Sequence, residues 1–284
     1  MRIFNVYTRT PKLSGVLFMW ALTLILGLAC APGYAQDAKY QSVFYPRGMP
    51  SKRGWDGKTR PTVYNFYSDV ELPGGAASIV LFSEQMITGG SDDLFTVFLG
   101  LAERRGGVLV PRTTLDLTSN IPVRVEQPGN FHHMSGTLNR FVAAADVAAI
   151  HVNLWAVLSG SGSIGGGSDL FFGIDRSKPA FAPLLLLTGT TRFSKEGPGR
   201  YVKSDVEIYI GDVDGGSVTE VIVLPKEFGS QKLGQTPSTS ETADVYKFDG
   251  KEYRSSQRIP VTAIPRGALR LKRSPEIAQT LQSG

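Results

Sequence analysis

An all-β fold built from antiparallel hairpin units is what this chain predicts, and three observations carry it. Short β-branched and aromatic runs recur along its 284 residues, separated by Gly, Pro and Asp turns. The chain holds 32 glycines and 17 prolines, a supply of turn residues that long helices would not tolerate. Two Asp-Gly pairs, Asp56-Gly57 and Asp249-Gly250, each follow an aromatic and precede a lysine, the strongest local signal for a tight hairpin. A hydrophobic content of 42% is enough for a sizeable core and argues against disorder.

The first 35 residues read as a targeting segment. Arg2, Arg9 and Lys12 form a basic start, Val16 to Ala29 is apolar, and Gly33-Tyr34-Ala35 places small residues around a cleavage point. The apolar run is short for a membrane span. The expectation is a mature chain beginning at Gln36, periplasmic or secreted, with no membrane span. Leu26-Gly27-Leu28-Ala29-Cys30 is an imperfect lipoprotein box, so lipid anchoring through Cys30 is one alternative, and a retained N-terminal anchor is the other. Cys30 is the one cysteine, so the exported part folds without a disulfide.

The formal charge of +5 falls to +2 once the three basic residues of the leader are removed. Much of that excess lies in a basic tail, 261–284, with Arg266, Arg270, Lys272 and Arg273. It reads as a solvated terminus; with no basic stripe interleaved with aromatics, a nucleic-acid partner is not expected.

Between leader and tail, residues 36–260 form the β-repeat domain. After a mixed Pro- and Gly-rich entry, Thr62 to Tyr67 is a strand. A first unit starts at Asp69, passes Pro73-Gly74-Gly75, and continues through Ser78–Phe82, Asp93–Leu99 and Val108–Val110. Val123-Arg124-Val125 is a further strand. A second unit starts at Asp146, with Ile150–Val157 alternating as a half-buried strand does. Ser159 to Ser168, nearly all Gly and Ser, reads as a flexible connection with an exposed contact surface. Asp169–Ile174 follows, and Leu184–Leu187 is an apolar run expected to be buried on both faces. Val206–Ile210 leads into a third unit at Asp212, whose strands are Val221–Leu224 and Val245–Phe248. The units recur at irregular spacing, too uneven for a short solenoid. They suit a small or incomplete β-propeller, with a β-sandwich as the alternative.

The third unit carries the clearest motif, Asp212-Val213-Asp214-Gly215-Gly216-Ser217-Val218-Thr219-Glu220 followed by an apolar strand. It resembles the loop of FG-GAP/VCBS repeats, and Tyr246 to Lys251 is similar to the strand and turn that close such repeats. The resemblance implies propeller blades in exported or surface proteins, with loops that hold calcium. It covers one unit of three, and Gly216 stands where a third acidic residue is expected.

Calcium takes six to eight oxygens, and Asp212, Asp214 and Glu220 are the candidate side-chain ligands for weak binding, on the order of 10⁻⁴ to 10⁻³ M. The other reading of these residues is a solvated hairpin turn in which Asp and Gly serve the backbone. Of the histidines, His132 and His133 are adjacent and face opposite ways in a strand, while His151 reads as a packed or edge-facing residue of an apolar strand. The Ser-rich stretch lacks both the G-x-S-x-G turn and a P-loop lysine. No catalytic or cofactor-binding residue is therefore singled out. The expected function is a binding or interaction protein of the bacterial cell envelope or extracellular space, with a protein or glycan partner. The alternative is a hydrolase or carbohydrate-active enzyme on the same scaffold.

Overall fold

The structure is a computed structural model. It describes residues 32–54, 56–88, 93–121, 130–131, 133–145, 147–157, 164–175, 180–195, 200–216, 218–232 and 238–273. The leader up to residue 31, Cys30, His132, Asp146 and the expected strand at 123–125 lie outside them.

The fold is all-β and antiparallel, as expected from its turns and strands. A helix, α1 (Pro32–Phe44), precedes strands β1 (Ser51–Arg53), β2 (Thr59–Glu71), β3 (Ala77–Met86), β4 (Asp93–Arg105), β5 (Val108–Asp116) and β6 (Asn130–Phe131). These six strands form one sheet in the order β1-β2-β3-β4-β5, with β6 on β4. The second sheet holds β7 (His133–Ala144), β8 (Val147–Val157), β9 (Ile164–Asp175), β10 (Ala180–Lys195), β11 (Arg200–Gly211), β12 (Glu220–Lys232), β14 (Thr242–Phe248) and β15 (Tyr253–Pro260). These strands follow one another as neighbours from β7 to β15, while two-residue strands β13 (Ser238–Thr239) and β16 (Leu269–Arg270) pair with β12 and β11. The unit starting near 69 therefore lies in the first sheet, and those starting near 146 and 212 share the second. Among the described residues, no helix is long and apolar enough to cross a membrane.

Both Asp-Gly turns are where the hairpin signal put them. Gly57 and Gly250 have φ of 74° and 98°, a region where a Cβ is strained. The carboxylates of Asp56 and Asp249 cap the amides two residues on, those of Lys58 and Lys251.

Apolar side chains of the described residues pack in four clusters, one of them, around Ile222 and Val245, with its buried members confined to the second sheet. Ile79, Leu81, Val97 and Leu99 of the first sheet meet Leu138, Ile150, Val152, Leu154, Leu170 and Phe172 of the second in one core. The approach is close at Gly136, where a Cβ would lie 2.5 Å from Leu81 Cδ2. The opposite face of β7, β8 and β9 carries Phe141, Ala149 and Phe171. These meet Ile208, Ile210, Val221, Val223 and Leu271 in a second core. A third, aromatic layer joins α1 to the first sheet: Tyr40 stacks on Phe66 and Phe44 on Phe82. Gly100 leaves the slot for Phe44, whose Cζ lies 2.5 Å from where a Cβ would stand. The sequence around residues 36–45 was read as mixed and gives no helical signal. Its helix is held by these rings and by Tyr40 Oη donating to Asp69 at 2.5 Å, not by helical periodicity.

Three strand expectations need correction. β8 is buried on both faces rather than one, because the second core covers the side that carries His151. Within Leu184–Leu187, Leu184 is buried but Leu186 is 45% exposed. A bulge between Pro183 and Leu185 disturbs the alternation, and Leu186 faces outward. The Gly/Ser stretch is not all connection, since Ile164–Ser168 is the paired start of β9. Its glycines serve close packing: a Cβ on Gly167 would lie 2.8 Å from the Leu154 carbonyl oxygen.

Candidate functional site

Two clusters of ionisable groups are built by this fold, one at the surface and one inside. The surface cluster is the turn between β11 and β12. Asp212, Asp214 and Glu220 each bring a carboxylate oxygen within 4.8 Å of the others, so the three candidate ligands do converge. The turn also uses them. The Gly216 amide donates to Asp212 Oδ1 at 3.0 Å and to Asp214 Oδ1 at 3.1 Å, and the Val213 amide donates to Glu220 Oε2 at 3.0 Å. Lys247 of β14 places its ammonium on Asp214 Oδ2. The Lys247 hydrogen bond is the main cause holding the Asp214 carboxyl below its ordinary range. Glu220 is pushed the other way, first by burial and then by the charges of Asp214 and Asp212. The arrangement can take a cation only in competition with Lys247, a residue the spacing argument had not included.

The interior cluster begins with alternation along β8. Ile150, Val152 and Leu154 point into the first core, so His151 and Asn153 point the other way. There His151 faces its cross-strand partner Asn139 of β7, and Asp169 of β9 lies beside Asn153. His151 and Asp169 are both fully buried, and His151 Nε2 lies 2.8 Å from Asp169 Oδ1.

The balancing charge comes from the far end of the chain. After β15, the strap of residues 261–273 pairs Leu269 and Arg270 with β11 and buries Leu271. Arg273 then turns inward. Its Nε and Nη2 donate to the two oxygens of Asp169 at 3.1 and 2.7 Å, and Nη1 bonds Asp205 and the Val206 carbonyl. Nη2 also reaches Thr191 Oγ1 at 2.9 Å, while Thr190 Oγ1 donates to Asp169 Oδ2 at 2.5 Å. Adjacent residues of a regular strand face opposite ways. A register shift between Thr188 and Thr191, with Gly189 at φ 70°, brings both hydroxyls to one guanidinium.

Asp169 thus accepts from His151, Asn153, Thr190 and twice from Arg273. Burial works to raise its pKa, but the Arg273 charge, followed by the His151 hydrogen bond, holds the carboxyl well below its ordinary range. Arg273 is driven upward in turn: burial opposes its charge, and Asp169 and Asp205 outweigh burial.

No protein-family model, curated protein or solved structure matches the chain. His151 takes the packed rather than the edge-facing place, and its partners come from β7 and β9. Asp169 figured only as the start of a repeated Asp-Leu-Phe. Arg273 was assigned to a solvated tail, yet its side chain is only 13% exposed. The nearest signal in the sequence is that a lone buried-strand His and a strand Asp call for partners. The side chain of His133 is not among those described.

Proposed function

We propose that this is an exported binding or interaction module of the bacterial cell envelope, acting on a protein or glycan partner and doing no chemistry of its own. The observation that carries the reading is the state of the groups best suited to chemistry. His151, Asp169 and Arg273 are bound to one another in the interior, where a nucleophile or general base would have no contact with substrate. Export rests on the basic and apolar leader with its Gly33-Tyr34-Ala35 cleavage point. The propeller-like reading of the units rests on the FG-GAP/VCBS resemblance of the Asp212 turn. Calcium belongs to that same resemblance, and a weakly held ion would have to displace Lys247 from Asp214.

Contacts with a partner fall to exposed hairpins and to the outer strand β15, where residues Arg254 to Arg258 are all exposed. The test combines intact mass after cell fractionation with in-cell photocrosslinking from Gln257. A mature chain starting at Gln36 outside the cytoplasm, with a discrete adduct, is the expected result. A mass matching a lipidated Cys30 would make it a lipid-anchored form of the same module. Cytoplasmic retention of the uncleaved chain would overturn export. Hydrolysis of a glycan or ester that His151→Ala abolishes, in a variant that remains folded, would overturn the binding reading.

A further inference from the structure

The C-terminal strap is held at Lys272 by a side chain that also touches His151. Asn139 Oδ1 accepts the Lys272 amide at 3.0 Å, and Asn139 Nδ2 donates to the Lys272 carbonyl at 2.6 Å. This two-point pairing fixes which end of the Asn139 amide is which. The second hydrogen of Nδ2 then points at His151 Nδ1, 3.0 Å away. Nδ1 must accept, so the ring's proton sits on Nε2 and is donated to Asp169. His151 is neutral in the arrangement that fastens the strap.

We infer that His151 is a proton-gated latch: a second ring proton, at Nδ1, unfastens Lys272 and loosens the strap at that point. An Nδ1–H would face the Asn139 N–H, donor against donor. Turning the amide over presents Oδ1 to the imidazolium, but it sets Nδ2 against the Lys272 N–H and Oδ1 against the Lys272 carbonyl. One proton therefore removes both hydrogen bonds between the Asn139 side chain and the Lys272 backbone, leaving Thr137 Oγ1, at 3.1 Å, as the remaining side-chain donor to Lys272 O among the described residues.

The surroundings set the balance. From β9, Asp169 favours the imidazolium, while the Phe171 ring, 4.8 Å from the imidazole, offers no compensating acceptor. From the strap, Arg273 opposes a second positive charge, and from β11 Asp205 engages Arg273. From β7, Asn139 stands at Nδ1, the one hydrogen-bond partner there among the described residues, and from β10 Thr190 and Thr191 contact Asp169 and Arg273. The strap is the element free to respond, since β7, β8 and β9 are locked in long ladders. The device is independent of the proposed binding role.

The test is amide hydrogen exchange on the full mature chain, with the imidazole nitrogens followed by ¹⁵N NMR. Protection factors, referenced to intrinsic exchange at each pH, are compared from about pH 7.5 to about pH 5. At the upper pH the ring should show a proton on Nε2 only. As the imidazolium forms, the Lys272 amide should lose about tenfold or more of its protection while Val152 in β8 keeps its own. Asn139→Asp supplies an acceptor to both Lys272 N–H and an imidazolium, and should remove the pH dependence at Lys272. The inference is overturned if the ring stays neutral throughout. It is overturned equally if the imidazolium forms with Lys272 still protected, or if Val152 loses protection in step.

Discussion

The acidic turn at Asp212 and the interior cluster at Asp169 are made from the same chemistry and use it in opposite ways. In the turn, carboxylates satisfy nearby amides and Asp214 takes one ammonium from β14, with Asp212 and Asp214 exposed and Glu220 buried beneath them. Inside, Asp169 accepts five hydrogen bonds and, with Asp205, binds Arg273 to β9, β10 and β11. The difference is desolvation. An exposed ion pair contributes little, whereas breaking a buried one leaves a charge with neither water nor partner.

The largest expected effect comes from removing the buried cation. Arg273→Met keeps much of the side chain's volume but leaves Asp169 fully buried and uncompensated, so urea unfolding should show a loss of about 3–5 kcal/mol. The exposed counterpart, Lys247→Met, should leave the urea midpoint nearly unchanged. Equal losses from the two would remove the distinction between the clusters.

The next effect is one of sign. Asp169 is held below its ordinary range, so its contribution is present above about pH 4 and is lost as the pH falls through the lower folded-state value. Glu220 is raised, so its ionised form works against the fold above that range. At pH 7, Asp169→Asn should lower the urea midpoint, by about 2–4 kcal/mol of stability, and flatten the acid limb of the profile. Glu220→Gln retains an acceptor for the Val213 amide and should leave the midpoint equal or higher. A loss in both variants would mean that the turn carboxylates carry stability as the buried one does.

The smallest effect concerns calcium. Thermal melts with millimolar calcium and with chelator should coincide for wild type, because Lys247 already answers Asp214. At a dissociation constant of about 10⁻³ M, tenfold excess would add only about 1.4 kcal/mol. Lys247→Met should uncover whatever affinity the three carboxylates have. A clear shift in wild type, absent in Asp214→Ala, would establish the turn as an ion site.

How much of this could be read in advance follows from distance along the chain. Asp212, Asp214 and Glu220 lie within nine residues, so spacing alone suggested their convergence. The Asp-Gly hairpins were legible for the same reason. Asp169 and Arg273 are 104 residues apart, and no local pattern connects them. The tail misled because Arg266, Arg270 and Lys272 are indeed exposed, and composition cannot tell which of four basic residues turns inward. Thr190 and Thr191 were hidden by a bulge, which breaks the alternation that sequence reasoning depends on. The α1 helix was missed because its order comes from aromatic contacts with the first sheet.

The claim that the interior cluster exists to bind the strap into the fold is tested most directly by a double-mutant cycle. Unfolding free energies of wild type, Asp169→Asn, Arg273→Met and the double variant give the coupling between the two residues. The account predicts a coupling about equal to the Asp169→Asn loss, about 2–4 kcal/mol, so that the double variant is about as stable as Arg273→Met alone. Additive losses, with coupling near zero, would contradict it.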